Sequence, residues 1–125
     1  MTPEAEEFIE RAVDTIHQLE ILLLLRRSSD RFWRADEIAA NLRMTFTTVA
    51  SSVSGLHANG VLVADGADPV AYRYEPRSTV LHAGVESLAA AYETDPLPVL
   101  KAVLTKSPRT LRTFFGAGCA SRGFS

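Results

Sequence analysis

Cysteine occurs once, at Cys119. No disulfide can therefore close within the chain, and no multi-cysteine zinc site can be assembled. No run of eighteen or more uncharged apolar residues is present. The longest stretch, Ile21–Leu25, falls far short of a bilayer span. The chain opens Met1-Thr2-Pro3-Glu4 and then adds more acid, whereas a secretory leader needs a basic start and an apolar run. The expectation is a cytoplasmic protein with no membrane contact. Also missing are a glycine-rich phosphate loop after a strand, a Gly-x-Ser-x-Gly elbow and a paired-carboxylate motif. Glu6-Glu7 and Asp36-Glu37 stand at helix starts, where the helix dipole accounts for them. His17, His57 and His82 fall on three different predicted helices without metal-ligand spacing. The sequence thus predicts no enzyme, no metal and no cofactor.

What is present is a chain of 125 residues, 46% apolar, which suits one ordinary globular domain. Net charge is only −2, which argues against a chain dominated by polyanion binding. Its distribution is lopsided. Residues 1–25 sum to −5, residues 26–60 to +2, residues 61–99 to −4 and residues 100–125 to +5. The two ends are oppositely charged.

From Pro3 to Arg27, Phe8, Ala12, Ile16, Leu19 and Leu23 recur at three- and four-residue steps. This spacing predicts one long amphipathic helix that becomes apolar all round at Ile21–Leu25. Ser28-Ser29-Asp30 breaks it, and Phe32-Trp33 suits a very short strand. Ala35–Leu42 reads as a short helix. After a break at Arg43-Met44, Thr45 is placed to cap a helix running to about Asn59, which Gly60 then ends. Val61–Ala64 and Val70–Tyr74 alternate around Asp65–Pro69, which predicts a β-hairpin. Helices are expected over Ser78–Glu93, Pro96–Thr105 and Pro108–Ala117, the last two opened by a cap residue followed by proline. Residues 1–117 are expected to form a single domain and 118–125 a disordered tail. The predicted fold is mainly α with a small antiparallel β-hairpin.

Residues 18–76 thus run helix, short helix, tight break, helix, hairpin, with the helices of 78–117 following. This stretch resembles the winged helix-turn-helix domains of MarR-like bacterial transcription regulators. The matching runs are Leu19-Glu20-Ile21-Leu22-Leu23-Leu24-Leu25, Ala35-Asp36-Glu37-Ile38-Ala39-Ala40-Asn41-Leu42, and Val53-Ser54-Gly55-Leu56-His57-Ala58-Asn59-Gly60-Val61-Leu62. The resemblance implies sequence-specific binding of double-stranded DNA, usually as a homodimer, with 45–59 as recognition helix and Asp65–Pro69 as wing tip. Thr45, Thr47, Thr48 and Ser51 would then approach bases. Arg31, Arg34, Arg43 and Arg73 would hold phosphates.

Charge at that surface departs from the family. Val49, Val53 and Leu56 form the inner side of the 45–59 helix, and Thr47, Thr48, Ser51, Ser54, Gly55 and Ala58 the outer side. None of the latter is a residue that makes bidentate contacts to guanine or adenine. Asp65 and Asp68 stand at the wing tip, where phosphate contact would favour Arg or Lys. A smooth face of small residues also suits close docking of another helix. A winged-helix adaptor that binds a protein partner through the same face is therefore the alternative reading.

Trp33, Tyr72 and Tyr74 cluster around the expected sheet. Packing of the hairpin explains them, and a small-molecule pocket is the competing reading. The C-terminal stretch interleaves Lys101, Lys106, Arg109 and Arg112 with Leu100, Val103, Leu104, Leu111, Phe114 and Phe115. It could bind nucleic acid, pair with the acidic first helix, or present a solvated face. Charge complementarity favours the second, within one chain or across a dimer. A homodimer interface is expected at Phe8, Ala12, Leu111, Phe114 and Phe115.

Overall fold

The computed structural model describes residues 1–105. They form α1 (Pro3–Ala12), α2 (Ile16–Arg27), β1 (Trp33–Arg34), α3 (Ala35–Leu42), α4 (Phe46–Ala58), β2 (Leu62–Ala64), β3 (Ala71–Tyr74), α5 (Thr79–Thr94) and α6 (Pro96–Thr105). The protein is mainly helical, with one small three-stranded antiparallel sheet in the order β1-β3-β2. Among the described residues, no helix is long and apolar enough to cross a membrane. The helix expected over 108–117 and the tail of 118–125 lie outside the described residues.

One expectation is corrected. The stripe running from Pro3 to Arg27 belongs to two helices, because the backbone turns extended at Val13 and again at Thr15. Thr15 Oγ1 accepts the Gln18 amide N–H at 3.1 Å, and Gln18 Oε1 accepts the Asp14 N–H at 2.8 Å. That is a Thr-x-x-Gln variant of the capping box, and it satisfies amides that a new helix start leaves open. The break lets α1 pack along α5, with α6 against both, while α2 enters the interior. Asn59 Nδ2 donates to the Ala12 carbonyl at 3.0 Å and ties the end of α1 to the end of α4.

The other boundaries follow local chemistry. Thr2 and Ser78 cap α1 and α5 through their hydroxyls, and Asp95 accepts the Leu97 N–H ahead of α6. Arg43 closes α3 in the left-handed region, at φ 58°, and Thr45 caps α4 two residues later. Short helix, tight reversal and second helix are thereby joined with only Met44 between the two caps. Across the sheet, Trp33 faces Tyr72 and Arg34 faces Ala71, while Leu62, Val63 and Ala64 face Tyr74, Arg73 and Tyr72.

The core is one continuous cluster. Leu19, Ile21, Leu22 and Leu25 of α2 sit at its centre, against Ile38 of α3, Val49, Val53 and Leu56 of α4, and Val85 and Leu88 of α5. Burying each of these side chains contributes about 1.5–3 kcal/mol. Val49, Val53 and Leu56 lie on one side of α4 and pull that side inward. The remaining side of the helix is left to solvent.

Candidate nucleic-acid interface

The outer row of α4 consists of Thr47, Ser51, Ser54 and Ala58, all exposed, with Thr45 ahead of them at the cap. Thr45 accepts the Thr48 N–H at 3.2 Å and donates its hydroxyl to Thr48 Oγ1 at 2.8 Å. Those two hydroxyls are therefore engaged with each other, and Thr47 and Ser51 are the pair turned outward. Gly55 does not belong to this row. It is half-buried beneath Gln18, whose Nε2 donates to the Ser52 carbonyl at 3.5 Å.

Of the four arginines expected to hold phosphates, Arg31, Arg34 and Arg73 gather around β1 and β3, and Arg43 stands at the α3–α4 reversal. Arg31 pairs with Glu37 at 2.9 Å and lies 4.0 Å above the Trp33 ring. Arg34 forks onto Asp36, at 3.0 and 3.1 Å. Arg73 pairs with Glu75 at 2.6 Å and stacks 4.7 Å from Phe32. Arg43 is exposed at the α3–α4 reversal and makes no ion pair among the described residues.

These contacts bias the acids toward ionisation. The Arg34 fork holds Asp36 below the ordinary carboxylate range. Glu37 is lowered chiefly by the Arg34 backbone N–H, which it accepts at 2.9 Å, and secondarily by Arg31. At the hairpin tip, Asp65 Oδ1 accepts the amides of Ala71 and Ala67 at 3.0 Å each, and these lower its pKa. Asp65 thus has a structural task that Arg or Lys could not perform. With Asp68 beside it, the carboxylates around α4 and the hairpin (Asp36, Glu37, Asp65, Asp68, Glu75) outnumber the four arginines by one.

This face also carries an apolar feature that periodicity does not mark. Phe46, the first residue of α4, is 59% exposed, and Val70 is 36% exposed. Together with Ala35, Ala50 and Tyr72 they edge a shallow cleft of about 130 Å³ between α4 and the hairpin. An aromatic residue directly after a threonine cap was the available signal.

Trp33 and Tyr74 are buried in the sheet packing, and Tyr72 is half-buried, edge-on to His57 with ring centroids 5.8 Å apart. Phe8 and Ala12, expected at a dimer interface, point into this chain's own interior, with exposures of 4% and 1%. Phe8 fills the notch left by Gly84 of α5. Leu111, Phe114 and Phe115 lie outside the described residues. Among the described residues, no three His, Cys, Asp or Glu side chains gather as a metal site. Compared with known proteins, the chain matches no family model, no curated protein and no solved structure.

Proposed function

We propose that the protein is a winged helix-turn-helix regulator that touches duplex DNA with the outer row of α4, flanked by the β2–β3 wing. The observation that carries this reading is the state of α4. Its inner side is locked into the core, while Thr47, Ser51, Ser54 and Ala58 stand clear of every other element. Arg43 stands free of ion pairs among the described residues at the reversal that starts the helix. A helix N-terminus with an adjacent cation is suited to a phosphate, and small hydroxyl side chains let a helix approach base edges closely.

The ion pairs of Arg31, Arg34 and Arg73 limit the strength of this contact without forbidding it. Exposed pairs of this kind are weak, so a phosphate can replace a carboxylate partner. Binding is then electrostatic in origin, low in affinity and modest in base selectivity. Fluorescence anisotropy of a random-sequence duplex at low salt tests the reading against a Ser51→Glu chain. Ser51 is exposed, so the fold tolerates the change, and a carboxylate there repels the phosphates. Loss of binding in the variant is the expected result. Equal signals from the two chains would remove α4 from the interface.

A second reading is favoured by the Phe46–Val70 cleft and the excess of carboxylates around it. On that reading the same face docks a protein segment that offers an apolar side chain between basic ones. It requires that DNA fails to bind at low salt, so the same titration separates the two.

A further inference from the structure

A different surface carries its own indication of what covers it. α1 and α5 pack side by side, and between them runs a groove of about 180 Å³ with Phe8, Val80, Leu81 and Gly84 along its floor. Val80 is 66% exposed, the most exposed of the chain's large apolar side chains among the described residues. Glu4, Glu7 and Arg11 stand along the rim. Glu4 makes no ion pair among the described residues, and Glu7 has only an exposed contact with Arg11 at 3.4 Å. The groove is apolar at the bottom and, with two carboxylates to one guanidinium, net negative at the edge.

We propose that residues 106–117 of this same chain occupy that groove, with Leu111, Phe114 and Phe115 on its floor and Arg109 and Arg112 against Glu4 and Glu7. The complementarity is specific to this segment. Residues 106–125 carry Lys106, Arg109, Arg112 and Arg122 and not one acid. Leu111, Phe114 and Phe115 are spaced so that a helix would place them on one face, the pattern of an amphipathic helix laid into a groove. α6 packs on both α1 and α5, so the chain leaves Thr105 beside the two helices that form the site. The Phe46 cleft suits this segment less well, because Asp36, the acid in its lining, already holds Arg34. A shallow surface between the N-terminus and α5, with Thr2, Ser87, Ala90, Ala91 and Asp95 in its lining, offers mostly small side chains and one acid against the two of the groove. The proposal is independent of what α4 touches. It also assigns Phe114 and Phe115 to their own chain rather than to a second copy.

Cys119, the single native thiol, tests this in the full-length protein. It follows Phe115 by four residues, which span at most about 14 Å. A second thiol is placed at the exposed Val80 (Val80→Cys) and, as a comparison, on the exposed outer row of α4 (Ser54→Cys). Both chains are oxidised with diamide at low micromolar concentration and resolved without reductant. The expected result is a cross-linked monomer that forms about tenfold faster from the Val80→Cys chain, through a high effective concentration at the groove. Adding Phe114→Ser and Phe115→Ser should bring that rate down to the Ser54→Cys level, and adding Glu4→Lys should slow it. Equal rates at the two positions, or a faster reaction at Ser54→Cys, would overturn the proposal. So would a predominance of covalent dimers, which would give the groove to a second copy.

Discussion

Gln18 passes over α4 at Gly55, where a β-carbon would stand 2.5 Å from its Nε2 atom. The buried amide thereby joins three segments: it accepts from Asp14, its backbone N–H donates to Thr15, and its Nε2 donates to the Ser52 carbonyl. Gly55→Ala should improve helix propensity by about 1 kcal/mol. It also displaces an amide whose hydrogen bonds contribute about 0.5–1.5 kcal/mol each. The expected net effect is a loss of about 1 kcal/mol, read as a lower urea midpoint with an unchanged slope. A stabilised variant would show that the Gln18 amide swings aside without penalty.

A second prediction concerns acid. Glu86 of α5 receives both Nε and Nη2 of Arg26 of α2, at 2.9 and 2.7 Å. The hydrogen bond from Arg26 is the main reason that the Glu86 pKa lies below the ordinary value. A carboxyl lowered in the folded state contributes stability above its unfolded pKa, about 4.3, and loses it as pH falls through the folded value. Chemical denaturation from pH 6 downward should therefore show a shallower decline for Glu86→Gln, beginning from a lower plateau. Parallel curves would mean that the pair does not couple folding to protons.

Alkaline pH should report on Tyr74. Burial first, and the Glu86 charge second, push its hydroxyl up to about 12. The hydroxyl also lies 3.3 Å from His82 Nδ1. Because the unfolded phenol ionises near about 10, stability is fully present below that pH and is lost as pH rises through the folded value. Ultraviolet titration should show one phenol ionising about two units late, and Tyr74→Phe should abolish that step. An unchanged titration in the variant would assign the late step to another tyrosine.

The β2–β3 turn carries a prediction about affinity. Asp65→Asn keeps a side-chain oxygen to accept the Ala67 and Ala71 amides, so the turn should survive. Combined with Asp68→Asn, it removes two negative charges from a face on which acids outnumber arginines. DNA affinity at low salt should rise severalfold by anisotropy, with no change in far-ultraviolet circular dichroism. No gain would place the β2–β3 turn away from the duplex.

Much of this was legible from residue order. Thr45 marked the start of α4, Ala35–Leu42 emerged as α3 with those bounds, and Asp65–Pro69 identified the hairpin turn. Each depends on interactions within a few residues. The apolar stripe does not reveal the division of the first helix, because it is nearly continuous in phase across Val13–Thr15; the local mark of the break is the Thr15-x-x-Gln18 spacing. Pairing at the candidate face was less accessible. Arg73 and Glu75 are two residues apart, a spacing that brings side chains together in extended backbone, whereas Arg34 and Asp36 straddle the β1–α3 junction, where neither the strand period nor the helix period applies. Helical phase alone puts Gly55 on the outer row and does not reveal that Gln18, far away in sequence, lies above it.

The most direct test of the α4 surface is a salt series with a random-sequence duplex, run on the native chain and on Arg43→Ala. If Arg31, Arg34, Arg43 and Arg73 each neutralise one phosphate, log affinity should fall against log salt with a slope of about three to four per chain. Arg43→Ala should reduce that slope by about one and weaken binding to all sequences alike. No retention of duplex by the native chain even at the lowest salt would contradict the DNA reading and leave the α4–hairpin face to a protein.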